Sequence, residues 1–242
     1  MDEEAKQAKR QKLRKGVSVA HMVHRFVMGG FDEIDDFNDF MKLAIKREQD
    51  LTSERLNKVA SRLEGEPLEQ YWDIFAEDYQ KIGAVFEKLA LDSFVVMLYS
   101  RVETGMAALC DGLRQDRQKQ KGEAIRLRYN DLRGGCYLDQ ARLYMEKVLG
   151  VDLDLGNNPQ WPEIVALRTL RNAIVHEEGR LSTKNETLKK HIKQGLVSLK
   201  NQEEENGQIS GRIVVHAEYI DYILPQIRTF FKDIKIWVVP GS

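Results

Sequence analysis

Apolar residues recur at helical spacing along most of this chain. Between Phe31 and Leu63 the stripe is Ile34, Phe37, Phe40/Met41 and Ala44/Ile45, with Asp32 as a fair N-cap. Gly16 and the Gly29-Gly30 pair read as breaks on either side of Val17–Met28, and Gly65-Glu-Pro67 as another. Residues 68–90 are expected to form one helix, with Trp72, Phe75, Tyr79, Ile82 and Phe86 inward. Leu91–Arg114 should form a second, with Phe94, Met97/Leu98, Val102, Leu109 and Leu113 inward. Residues 123–149 read as a long helix that stops at Gly150, with Gly134-Gly135 as a candidate interruption. The last helix, 216–237, turns Tyr219, Ile223, Ile227, Phe230/Phe231 and Ile234 to the core. Pro225 inside it predicts a kink or an offset start. One place departs from the helical period. Ile209–Val215 is short and β-branched, and pairs best with Leu196–Leu199 as a small hairpin, the polar run Asn201–Gly207 forming its loop. Residues 186–198 suit a short amphipathic helix or a strand-like segment. The pattern predicts an all-α bundle (67–242) with an N-terminal helical extension (1–66) and a hairpin before the last helix.

The most informative helix is the one that ends Arg168-Thr-Leu-Arg-Asn-Ala-Ile-Val-His176. Asn158-Pro159 or Trp161-Pro162 would open it, since Pro suits the first helical position, and Gly179 would close it in the left-handed conformation. At about 100° per residue, Leu167, Leu170 and Ile174 share one face, bordered by Ala166, Ala173, Ile164 and Arg171. Val165, Thr169, Asn172 and His176 fall on the far side. Asn172 and His176 are one turn apart and therefore neighbours on the surface. Arg171 lies roughly 140° from His176 on the ideal wheel, yet its side chain is long enough to reach round the helix end. The last turn is also where the helix dipole welcomes a cation. A histidine that passes protons beside a guanidinium that holds charge is a place for a phosphoryl group. The plain alternative is a solvated histidine near a helix C-terminus.

Composition narrows the classes. The chain has 242 residues and a formal net charge of −1, so it is no general nucleic-acid glue and any such site is a local patch. Arg114–Arg133 is the most basic part of the main body. It carries Arg126, Arg128 and Arg133 and reads either as an exposed loop and helix start or as a landing surface for a phosphate backbone. The charged run 1–15 reads as a solvated terminal helix or a basic arm. Cys110 and Cys136 have no metal-ligand spacing, and His21 and His24 lack further ligands, so neither metal nor cofactor is expected. There is no transmembrane-length apolar run and no signal-peptide core, which predicts a cytoplasmic protein with no membrane partner. Phosphate loops, dinucleotide fingerprints and nucleophile elbows are also missing, so any catalysis must come from helical side chains.

Arg171-Asn-Ala-Ile-Val-His176 resembles the signature of HEPN domains, an arginine followed after four to six residues by histidine, with a polar residue directly after the arginine. Tyr99-Ser-Arg-Val-Glu103 resembles the Ser-x-x-Glu pattern of an early core helix in that family. The closing order is similar too: motif helix, variable insert, a β-branched stretch before His216 and a terminal amphipathic helix. The resemblance covers roughly residues 68–237. It implies a bundle of four to five helices that dimerises, so that two Arg/His pairs line one cleft. It also implies a metal-independent endoribonuclease in which the RNA 2′-hydroxyl attacks the adjacent phosphate. Carried over residue by residue, His176 would be general base or acid and Arg171 would stabilise the pentacoordinate phosphate. Asn172 would hold the histidine or the phosphate, and Glu103 would orient Arg171. Apart from the resemblance, Arg168, Arg126, Arg128 and Arg133 are the candidate RNA-binding residues. Many bacterial members act in toxin–antitoxin or antiphage systems, so an antitoxin or defence partner is implied. The toxin branch paired with a nucleotidyltransferase antitoxin carries Tyr two residues after the histidine; this chain has Glu178 there. Some members have lost catalysis, and the alternative function is a non-catalytic interaction or nucleotide- or nucleic-acid-binding module. A helical DNA-binding or scaffold protein using the 114–133 stretch is the third reading.

Overall fold

The computed structural model describes residues 19–122, 124–133, 135–151 and 155–238. The charged run 1–15 lies outside them. The described chain is mostly helical, with one small antiparallel sheet. Its order is α1 (Val19–Ala60), α2 (Glu66–Gln80), a π-helical segment (Lys81–Phe86), α3 (Glu87–Lys121), a 3-10 turn (Tyr129–Asp131), α4 (Tyr137–Lys147), α5 (Trp161–His176), β1 (Arg180–Thr183), α6 (Glu186–Lys193), β2 (Val197–Glu205), β3 (Gln208–Val215) and α7 (Ala217–Val238). Among the described residues no helix is long and apolar enough to cross a membrane. The described residues divide into two compact units: 19–31, 100–163 and 225–238 in the first, 32–99 and 164–224 in the second.

In the first unit α1 does not break at Gly29-Gly30 as the composition suggested. The glycine answers a neighbour. A Cβ at Gly30 would collide with the guanidinium of Arg101. Nη2 of that guanidinium donates to the Phe26 carbonyl at 3.1 Å, and its central carbon sits 5.2 Å from the centre of the Phe26 ring. Burial centres on an aromatic group in which Phe31 and Phe231 lie 5.3 Å apart, Phe230 and Phe231 5.4 Å, and Trp161 and Phe230 5.9 Å. His24 takes a structural place, its Nε2 2.6 Å from the Phe231 carbonyl oxygen. The single helix expected over 123–149 is replaced by a 3-10 turn and the shorter α4. Asp131 folds back to accept from the Arg128 backbone N–H at 2.8 Å, and the run before it has no apolar stripe to bury. Helix α4 does close near Gly150, whose φ is 65°.

In the second unit the break at Gly65 is present, and α2 starts directly after it. The expected junction near residue 90 is absent. Helix continues from Glu66 to Lys121 through the π segment, because Glu87-Lys-Leu-Ala90 are all good helix formers. Of the stripe expected on 68–90, Trp72, Tyr79 and Phe86 are exposed and Phe75 is half-buried; Phe37 and Phe40 of α1 are exposed too. Buried instead are Phe94, Leu98 and Tyr99 of α3, Leu167 and Leu170 of α5, Leu181, Val197, Ile213 and Val215 of the sheet, and Tyr219 and Ile223 of α7.

The hairpin forms as expected, with Val197 opposite Val215 and Leu199 opposite Ile213. It also runs further. The acidic residues to Glu205 continue the strand, and the turn is confined to Asn206-Gly207, with φ of 51° and 71°. Backbone pairing needs no apolar side chain, and Asn-Gly suits the left-handed turn that matches strand twist. A third strand, β1, pairs with β3 and gives the order β1-β3-β2. Between β1 and β2, Asn185 caps α6 by accepting from the Leu188 backbone N–H at 3.0 Å. Asn185→Ala is expected to destabilise the protein by about 1 kcal/mol, read as a lower denaturant midpoint with an unchanged m-value. No change would mean that the short α6 is held by packing alone. Pro225 lies inside α7, which starts at Ala217, and Tyr219, Ile223, Ile227, Phe230, Phe231 and Ile234 are all buried.

Candidate functional site

Helix α5 is fastened at both ends. At its start Asn158 Oδ1 accepts from the backbone N–H groups of Gln160 and Trp161, at 2.9 and 3.0 Å. At its end Gly179, with φ 78°, donates its N–H to the Ala173 carbonyl at 2.8 Å, a closure that suits a left-handed glycine. The chain then passes straight into β1, and the Gly179 carbonyl accepts from Ile213 N–H of β3 at 2.8 Å. The last turn of α5 is therefore fixed against the sheet. Its neighbour Glu178 also takes a positive φ, 53°, which is uncommon for a residue with a Cβ.

Between those fastenings, Ile164, Ala166, Leu167, Leu170 and Ala173 are buried, while Asn172, Val175 and His176 are exposed and Arg171 is half-buried. Arg171 does reach round the helix end. Its Nη1 lies 3.0 Å from Asn172 Oδ1 and 3.2 Å from His176 Nε2. A guanidinium has donors only, so the second contact is a hydrogen bond only when Nε2 accepts, which puts the ring proton on Nδ1. In that tautomer the Nε2 lone pair faces the arginine.

Arg171 rests on the ring of Tyr99, its guanidinium carbon 5.6 Å from the ring centre. Tyr99 is 1% exposed, and Arg171 Nε is itself buried, with no hydrogen-bond partner among the described residues. The aromatic face and the helix together aim the guanidinium. Sequence reading placed Tyr99 only within the segment leading to Glu103. Its position under Arg171 left no local signal, because 72 residues of chain separate the two.

Of the residues singled out from the sequence, the structure brings Arg171, Asn172 and His176 together. Arg168, on the same helix, is half-buried. Glu103, half-buried on α3, belongs to the first unit, as do Arg126, Arg128 and Arg133. Those three arginines are exposed and lie outside any α-helix, around the 3-10 turn. Glu177 and Glu178, next to His176, are exposed.

The trio offers a proton acceptor, a cation and an amide within about a turn and a half of helix, open to solvent on one side. Such a set can bind a phosphodiester, take a proton from a hydroxyl and stabilise charge that develops on phosphorus-bound oxygens. Comparison of the chain with protein-family models, with curated proteins and with solved structures finds no match.

Proposed function

We propose that this protein is a metal-independent endoribonuclease of HEPN type whose reacting groups are Arg171 and His176. The observation that carries the reading is the contact of 3.2 Å between Arg171 Nη1 and His176 Nε2, on the exposed side of a helix whose other side is core. In this reading Arg171 Nη1 turns from His176 to the bound phosphate, the freed His176 Nε2 takes the proton of an RNA 2′-hydroxyl, and the 2′-oxygen attacks the adjacent phosphorus. Arg171 stabilises the charge on the non-bridging oxygens. The bond to the 5′-oxygen breaks, that oxygen takes up a proton from water, and His176 returns the proton it holds to solvent. The products are a 2′,3′-cyclic phosphate and a 5′-hydroxyl. Asn172 keeps Arg171 in line.

A second copy of the chain completes the proposal. Val175, one residue from His176, is 47% exposed, an apolar side chain on the outer face of a polar site. Two such helices meeting would cover it and place both Arg/His pairs in one cleft. A role in defence or growth control, with an antitoxin or another defence component as partner, follows from the family resemblance alone.

Labelled single-stranded RNA incubated with excess chelator tests the reading. The wild type is expected to yield cyclic-phosphate ends, and Arg171→Ala to be slower by about 10²- to 10³-fold. Arg171→Lys should not recover the rate, since an ammonium cannot reproduce the planar group that rests on Tyr99 and offers two parallel N–H donors to a phosphate. RNA left intact by a folded wild type would remove the nuclease and leave a binding module.

A further inference from the structure

Strand register lines up three cations. Arg180 of β1 stands opposite Arg212 of β3, and Arg212 stands opposite Lys200 of β2. Residues directly opposite one another project to the same face, so one crosswise row of the sheet reads Arg-Arg-Lys. All three side chains are exposed. Like charges in opposed positions destabilise a sheet, and an ion pair to a nearby carboxylate is the ordinary relief. Among the described residues none of the three makes one, although Glu177 and Glu203 line the same basin. The repulsion is retained, which is what a sheet built to meet an external anion requires.

The basin in front of the row has a volume of about 910 Å³. The sheet forms one wall, with Ser182 and Ser210 beside the row, and α5 forms the other, through Thr169, Asn172 and Ala173. Asn172 is the residue that accepts from Arg171. Asn172 thus faces the cationic row across the basin and links it to Arg171, its neighbour on α5.

We infer that Arg180, Arg212 and Lys200 bind the phosphates of the single-stranded RNA that flanks the bond held at Arg171 and His176. The inference rests on the nuclease reading for which bond is cut, and on the sheet alone for where the strand lies. At about 4.8 Å between strands, the row spans roughly 10 Å, which suits successive phosphates of one chain better than an isolated anion. The hydroxyls of Ser182 and Ser210 can donate to phosphate oxygens or accept from a 2′-hydroxyl. With two glutamates on the same walls the local excess is small, so the row positions a strand without attracting every polyanion.

The test is a binding measurement on the full chain carrying His176→Ala, which separates binding from cutting. Its affinity for a labelled single-stranded RNA is followed against salt, with and without Arg180→Ser, Lys200→Ser and Arg212→Ser together. The triple change is expected to weaken binding at low salt at least tenfold. It should also flatten the slope of log K against log[salt] by about 2, near 0.7 for each single-strand phosphate that is no longer neutralised. Arg212→Gln alone, a mild exposed change, should remove about a third of that slope. Unchanged affinity and slope in folded variants would overturn the assignment. The two readings fail separately. A wild type that cuts RNA while the row variants bind it unaltered loses the row and keeps the nuclease. A wild type that never cuts, yet shows the predicted salt dependence, loses the nuclease and keeps the row.

Discussion

His176→Ala is expected to slow RNA cleavage by about 10²- to 10⁴-fold, the range that a positioned general acid or base contributes, while the protein stays folded. The second half follows from exposure. His176 is exposed in the last turn of α5, with Arg171 Nη1 3.2 Å from its Nε2. Surface changes of this kind usually move stability by no more than about 0.5 kcal/mol. His176→Gln separates the two things the ring does. A glutamine can still accept a hydrogen bond from Arg171, but it cannot carry a proton, so it should be as slow as alanine. Combining His176→Ala with Arg171→Ala should cost little more than the worse single change, because groups that act as a unit lose their effect together. Cleavage by His176→Ala at the wild-type rate, with chelator present and contaminating nuclease excluded, would end the assignment.

For Phe231→Ala the expected loss is about 3–5 kcal/mol of folding stability, a large share of the roughly 5–15 kcal/mol that holds a typical domain. Its ring is 0% exposed and lies between Phe31 and Phe230. Gly105 is shaped to it, since a Cβ there would come within 3.1 Å of Phe231 Cζ. Collapse into the vacated space is opposed because the backbone is held independently, the Phe231 carbonyl being tied to His24. The cavity term should therefore be close to its full value. Phe86→Ala is the matched control. That ring is 53% exposed, and its removal should leave the denaturant midpoint almost unchanged. Equal effects from the two would mean that the core is not centred where the aromatic group places it.

The contrast between those phenylalanines shows how far a repeating apolar pattern reaches. Phe86 and Phe231 both stand at helical spacing among other apolar residues, and the pattern alone made both of them core. Periodicity records which face of a helix is apolar. It carries nothing about whether another segment arrives to cover that face. Gly29-Gly30 shows the same limit from the other side. The pair is a break by composition, yet the helix passes through it because Arg101, far along the chain, occupies the space a side chain would need.

What the order of residues determined by itself was whatever depends on neighbours within a few positions. That includes the caps of α5, its buried stripe, the side-by-side placement of Asn172 and His176, the pairing of Leu196–Leu199 with Ile209–Val215, and the inward face of α7. These follow from 3.6-residue and 2-residue periods and from the conformational limits of Pro, Asn and Gly. Tertiary structure alone decided the support of Arg171 by Tyr99, the addition of β1 as a third strand, and the register that stacks Arg180, Arg212 and Lys200. Each joins segments distant in the chain, and shifting a strand by a single residue would turn those side chains to the opposite face. Whether three scattered cations become one surface is settled by that register.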